Sequence, residues 1–360
     1  LVATAAALAL AGCGTGGAGG AGGDTGTTTL RFSYMAGEKT PIGELWTWWL
    51  DEVEARSGGS VTFERYWDAT LLKATETTEG LRDGRADIAQ VLPTVYPGKY
   101  PLSSVGELPF ESSNPSAVAE ALGTLSSDES GVLAEEWHGQ GLTPLAWSIG
   151  TSSALATNKP IRTAADLDGM RLRATDRGSQ VLQSVGANLI NIELAEIYGS
   201  MERGLVDGVY GIPFSFAGAL HFPEVAQHFT DLGIGVSSVN ALAMSQEKWR
   251  SLTPEQQAIF REVSAEAPAK VAEFDVAGDK TSCEAVKQSG GDVHVLAEAE
   301  SNTIKERGKA ALDAEWREQV AADGADAEAF YGRYRAELDA AEKKHAGFKT
   351  GVQRCAESAP

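Results

Sequence analysis

Cysteine, methionine and histidine are scarce: the 360 residues hold three Cys, four Met and five His. No CxxC, HExxH or comparable metal-ligand spacing occurs, so neither a zinc site nor any other metal centre is expected. GxxxxGK[ST] and GxSxG are also missing, which removes the usual phosphate cradle and the hydrolase nucleophile elbow. No cofactor is implied. Positive charge is in deficit, with Lys+Arg 30 against Asp+Glu 50 and a formal net charge of -20. Nucleic acid and anionic lipid are held mainly through Lys and Arg, so both are poor candidates as partners. No apolar run reaches the roughly 18 residues that span a bilayer.

What is present begins with a leader. Residues 1 to 12 are small and apolar and run into Leu10-Ala11-Gly12-Cys13. That reads as the core of an export signal, and its ending resembles the lipobox of bacterial lipoproteins, with Cys13 as the lipidated residue. Residues 14 to 28 are nearly all Gly, Ala and Thr. They offer no apolar surface to offset ordering entropy and read as a flexible tether. With Cys13 lipidated, Cys283 and Cys355 are left in an oxidising compartment, where they can pair. Eight tryptophans exceed what the core requires, so some are expected to line a cleft.

The remaining chain, about 330 residues, suits two domains. Thr29 to Met35 alternates as a strand. Ile42 to Arg56 carries Leu45, Trp48, Trp49 and Val53 at helical spacing, and Val61 to Tyr66 is a second strand. A helix from about Lys73 to Arg82 leads to a third strand, Ala86 to Leu92. The pattern returns later: strand at Met170 to Ala174, helix at Arg177 to Val185, strand at Ala187 to Asn191, helix at Glu193 to Arg203, strand at Val206 to Ile212. In both halves the last helix closes on a Gly (Gly84, Gly204), followed at +3 by an Asp (Asp87, Asp207) ahead of the strand. Two similar α/β lobes with a cleft at the carboxyl ends of their strands are the expected architecture. Thr253-Pro254-Glu255-Gln256 starts a helix of some 30 residues, with a bend expected at Pro268. Lobe I is assigned residues 29–150 plus about 240–270, and lobe II 151–239 plus about 271–355.

Several stretches in order resemble the solute-binding components of tripartite ATP-independent periplasmic (TRAP) transporters. They are Gly84-Arg85-Ala86-Asp87-Ile88, Tyr96-Pro97-Gly98-Lys99-Tyr100-Pro101-Leu102, Glu107-Leu108-Pro109-Phe110, Asp166-Leu167-Asp168-Gly169-Met170-Arg171-Leu172-Arg173 and Gly204-Leu205-Val206-Asp207-Gly208. The resemblance implies a periplasmic-binding-protein-like α/β fold of two lobes and a long helix in the C-terminal half. It also implies a ligand cleft between the lobes and a separate membrane permease as partner. It places the carboxylate-holding Arg at Arg173, a role suited to a planar, permanently charged guanidinium. Arg171 shares its side of the strand by parity, and the resemblance gives that position a structural role. Relatives follow this last stretch with an Asn that reaches the ligand. Here Val209-Tyr210-Gly211-Ile212-Pro213-Phe214 stands instead, which points to a larger or more apolar acid against Tyr210 or Phe214.

Strand ends supply further cleft candidates: Tyr34 and Glu38 after the first strand, Trp67 after the second, Gln90 inside the third and Trp147 before Gly150. The reading is an exported, monomeric, non-enzymatic binding protein that captures a small organic acid and is held to the membrane only by its lipid. An ABC-type or sensor-associated receptor is the alternative of the same shape, and an exported α/β enzyme the one of another class.

Overall fold

The computed structural model describes residues 27–96, 98–174 and 176–358. Cys13 and the tether up to residue 26 lie outside them. The first half contributes β1 (Thr28–Ser33), α1 (Pro41–Arg56), β2 (Val61–Tyr66), α2 (Thr77–Arg82), β3 (Ile88–Val91), α3 (Pro115–Ser127), α4 (Val132–Gly139) and the long β4 (Leu142–Thr157). β5 (Arg171–Arg173), β6 (Asn188–Ile190), α5 (Ile197–Glu202), β7 (Gly208–Val209) and the long β8 (His228–Ser245) follow. The chain ends through α6 (Gln246–Ser251), α7 (Pro254–Gln288), β9 (Asp292–Val295), α8 (Glu298–Ala322), α9 (Ala327–Lys344) and α10 (Gly351–Glu357).

One sheet runs β2-β1-β3-β8-β4-β7-β5-β6, with β9 also on β8. β1 lies parallel between β2 and β3, and β5 lies parallel between β6 and β7. Each half is therefore the same three-stranded unit, and β8 and β4 join them as an antiparallel ribbon from Leu142↔Ser245 to Thr157↔His228. The ribbon loses register between Ser152 and Ala154, where Gly233 and Gly235 of β8 take φ of 71° and 125°. That region is open to L side chains only at a cost, so glycine lets the ribbon bulge there.

Four apolar clusters fill the lobes, two on each side. β4, β8, α7 and α8 contribute to both sides. The 35-residue α7, about 52 Å long at 1.5 Å per residue, packs Phe260, Val263 and Val271 into lobe I and Cys283 and Val286 into lobe II. Its start is the expected one: Thr253 accepts from the Gln256 N–H and Gln256 returns a bond to the Thr253 N–H. The helix passes Pro268 without a break.

Three expectations change. Residues 178–185 form a 3-10 run that ends at Gly186 instead of an α-helix, and the strand expected over 206–212 pairs only at Gly208–Val209. α9, placed with lobe II from the sequence, packs Phe330, Tyr334 and Leu338 into the lobe I cluster that holds α3; α8 crosses back to lobe I with Trp316 and Val320 and carries α9 with it. All eight tryptophans belong to, or pack against, the two lobe I clusters. They are core residues, because a face of the lobe I sheet and four helices need that much ring surface to close.

Candidate functional site

The register of β4 locates the site. Side chains on alternate residues share a face, so Ala146, Ser148, Gly150, Ser152, Ala154 and Ala156 form one row. Ala146 joins a lobe I core and Ala154 and Ala156 a lobe II core; between them stands a small, polar window. Ser148 faces Asn240 across the ribbon and Gly150 faces Ser238. Gln90 of β3 donates from Nε2 to Ser148 Oγ at 3.0 Å. The row of α7 that packs inward changes in the same place: Val271 is apolar, Asp275 is acidic and buried, and Cys283 returns to an apolar cluster. Asp275 Oδ1 accepts from Ser215 Oγ at 3.2 Å and burial holds its carboxyl well above the usual range. Polar atoms thus concentrate where the lobes meet.

Arg173 borders this zone from lobe II. It closes β5, in register with Ile190 and Val209, and Val209 pairs with Ala156. Partners in register show the same face, so Arg173 lies on the face of the window. Its side chain is 8% exposed, and its one hydrogen bond to the described residues runs from Nε to Ile192 O at 3.0 Å. Both terminal nitrogens are left without a hydrogen bond or ion pair among those residues. Burial lowers its pKa, with Asp176 and Glu193 acting against that, and an arginine so placed stays charged. Asp176 is buried beside it. Its Oδ1 accepts from the Ser179 N–H at 2.7 Å, its Oδ2 has no partner among the described residues, and burial lifts its pKa to about 6. Glu107 reaches the same zone from lobe I: Oε1 accepts from the Val239 N–H at 2.8 Å, and burial, with Asp176 nearby, lifts it to about 8.

The other sequence candidates separate. Gln90 sits in the window. Tyr34 is buried at the end of β1, and Trp67 packs edge-on against it and Phe32, at 6.0 and 5.1 Å. The two residues after Trp67, Asp68 and Ala69, both hold a φ of 55°, a strained left-handed pair for residues with side chains. Their N–H groups are taken by Ala36 O and Tyr34 O, which fixes that loop against the start of α1. Glu38, half-buried in the β1–α1 loop, makes no side-chain hydrogen bond to the described residues. Trp147 points to the opposite face from Ser148: its Nε1 donates to Ser126 Oγ of α3 at 2.9 Å and its ring meets Trp137. It is a core residue, as strand parity requires. Tyr210 and Phe214 are 3% and 1% exposed in the two lobe II clusters, Phe214 against Phe229. Both rings pack with these lobe II clusters.

Arg171 serves the frame: it pairs with Asp207 at 2.7 Å and bonds Gly204 O. Sequence reasoning missed Ser148, Asn240, Glu107 and Asp275. The alternating small residues of Ser148-Ile149-Gly150-Thr151-Ser152 were the available signal. A cavity of about 700 Å³ lies between α3, β4 and α7, lined by Trp249, Phe260 and Arg261. All its walls belong to lobe I, so it is not the space between the lobes. Cys283 and Cys355 are joined, tying α10 to α7. No group of metal-ligating residues occurs among the described residues, and no described helix is long and apolar enough to cross a membrane.

Two repeated α/β units, joined by a ribbon and gripping a polar window with one uncommitted guanidinium, define a two-lobed solute-binding protein. The chain belongs to the bacterial extracellular solute-binding proteins of family 7, whose family model matches residues 32–319. Among curated relatives it is 27% identical, over 73% of this chain and 80% of the relative, to YiiZ of Salmonella typhimurium, an uncharacterized protein. It is 26% identical, over 64% of this chain and 70% of the relative, to the 2,3-diketo-L-gulonate-binding periplasmic protein YiaO of Escherichia coli. Among solved structures it resembles a TRAP periplasmic solute-binding protein of Desulfovibrio salexigens, with a TM-score of 0.79, 25% identity, and 89% of this protein and 98% of that one covered. That structure is an open complex with the C-terminus of a symmetry mate in its ligand-binding site. The family is one of extracytoplasmic receptors for transport and not of enzymes.

Proposed function

We propose that this protein captures a small organic carboxylate between its lobes, pairs it with Arg173, and hands it to a TRAP-type permease. One observation carries the reading: a buried guanidinium that among the described residues bonds only through Nε and keeps its two terminal nitrogens, the planar fork that fits a carboxylate, uncommitted. The relatives agree in chemistry, since 2,3-diketo-L-gulonate and the C-terminus of a polypeptide both bear a carboxylate. Lipidation at Cys13, with the tether behind it, would hold the receptor at the membrane face where a permease works. Closure over the acid is a population shift, driven by bonds the ligand makes to both lobes at once.

The test is thermal unfolding of ligand-stripped protein against a panel of organic acids, each beside its neutral amide. An acid at about 100 times its dissociation constant adds roughly 2.7 kcal/mol of stability. A midpoint shift with an acid, absent with its amide and lost in Arg173→Ala, is expected. A shift that survives Arg173→Ala sinks the assignment.

A further inference from the structure

The window between the lobes holds more hydrogen-bonding capacity than the protein uses. Gln90 gives its Nε2 to Ser148 Oγ, and Asn240 gives its Nδ2 to Ser238 Oγ at 3.2 Å. Each amide nitrogen thereby uses one of its two N–H donors. Among the described residues both amide oxygens, Gln90 Oε1 and Asn240 Oδ1, are buried without a partner, as is Ser152 Oγ on the same row of β4. The two side chains are only 3% and 6% exposed. Buried amide oxygens are almost always satisfied, because leaving one bare forfeits its hydration for nothing. Two on one face of the neighbouring strands β3 and β8 call for a common donor.

We infer that Gln90 and Asn240 form a hydrogen-bond-accepting subsite, so that the acid this protein takes carries a donor, a hydroxyl or N–H, on its end facing lobe I. The inference rests on the carboxylate reading above. Arg173 holds the carboxylate from lobe II, and the two amides hold the donor from lobe I. A molecule with both groups bonds each lobe, whereas a plain acid bonds one and leaves two acceptors bare. The missing Asn after Gly208 then has a consequence: the discriminating amides stand on β3 and β8, not after β7.

The experiment is isothermal titration of ligand-stripped protein with matched triplets of acids: 3-hydroxybenzoate, benzoate and 3-methoxybenzoate, and mandelate, phenylacetate and methoxyphenylacetate. In the triplet that fits the cleft, the hydroxy acid is expected to bind roughly 10- to 100-fold tighter than its deoxy and ether analogues, as a bare buried acceptor dictates. Gln90→Leu and Asn240→Leu should erase that preference and leave the deoxy acid's affinity within about twofold. Gln90→Glu, which keeps an acceptor in place, should retain it; this variant guards against a folding defect in the leucine forms. An ether that binds as well as its hydroxy acid, or leucine variants that weaken all three analogues alike, would overturn the subsite. A hydroxylated amide that binds as tightly as the hydroxy acid would instead overturn the carboxylate reading and leave the subsite standing. Failure of every acid in both triplets would remove the two together.

Discussion

Lobe I and lobe II share a frame down to single hydrogen bonds. In lobe I the Arg31 N–H and Nε both donate to Asp87 Oδ2, and one terminal nitrogen bonds Gly84 O. In lobe II the Arg171 N–H and Nε both donate to Asp207 Oδ2, and one terminal nitrogen bonds Gly204 O. The joint locks the strand that follows each helix to the first strand of its unit. Two positions beyond it the lobes diverge. Ser33 pairs in register with Tyr66 and Ala89, and Arg173 with Ile190 and Val209. These are equivalent places at the carboxyl end of the central strand. Ser33 accepts from the Leu72 N–H and serves its own loop; Arg173 is left with nitrogens to spend. Three steps past each joint Asp the pattern repeats, with Gln90 in one lobe and Tyr210 in the other. A repeated frame fixes where functional groups can stand, and one side chain at an equivalent position decides which lobe holds the charge.

The lobes also differ in what holds them together. Every tryptophan packs in lobe I, and the lobe II clusters contain none but take in the Cys283–Cys355 bridge. Closing a sequence separation of 72 residues removes about 4 kcal/mol of unfolded-state entropy in the chain-entropy treatment. Replacing both cysteines by Ala should therefore cost about 4 kcal/mol and lower hydrogen-exchange protection mainly in α10 and the second half of α7. Trp137→Ala should cost about 3–5 kcal/mol and show its loss in α3 and α4. Loss spread evenly over both lobes in either variant would break the contrast.

The joints supply a smaller effect. Asp87 has a side chain 7% exposed and a second cation, Lys248, at 3.5 Å, whereas Asp207 is 39% exposed. Burial raises the Asp87 pKa, and the Arg31 N–H, the Arg31 guanidinium and Lys248 more than reverse that, leaving it below the usual range. Asp87→Ala is expected to lose about 1–3 kcal/mol in urea unfolding, because the Arg31 N–H is left without its acceptor. Asp207→Ala should change little, as exposed pairs do. Equal losses would show that the two joints are alike in energy as well as in geometry.

A further effect is on pH. Glu107 titrates at about 8 when folded against an ordinary 4.5. Between those values the folded state binds more proton than the unfolded one, so its contribution is full below 4.5 and is lost as pH rises through 8. One such group changes stability by at most about 1.4 kcal/mol per pH unit. Glu136, buried within lobe I and also lifted to about 8, adds a slope of the same sign. Glu107→Gln should reduce the fall in midpoint over this window and leave the share from Glu136. An unchanged slope would show that Glu107 has no raised proton affinity.

Local signals were legible in the sequence for a local reason. Helix caps, the Gly and Asp of each joint, and the alternation of strands and helices depend on residues a few positions apart, so Thr253-Pro254-Glu255-Gln256 and the pair Gly84/Gly204 could be read directly. Arg173 was legible through resemblance and the chemistry of guanidinium, and the Cys283–Cys355 pair by what remained after Cys13. Tertiary structure decided the rest. Strand parity puts Trp147 and Ser148 on opposite faces, but which face meets a core is set by α3 on one side and α7 on the other. Tyr210 and Phe214 join the clusters that hold Leu232, Ile234 and Phe229, a packing set by distant strands. The window itself exists only because Ser148 meets Asn240, a partner some ninety residues away along the sequence. A hydrogen-bond vacancy is a property of everything packed around an atom, and no stretch of sequence carries that by itself.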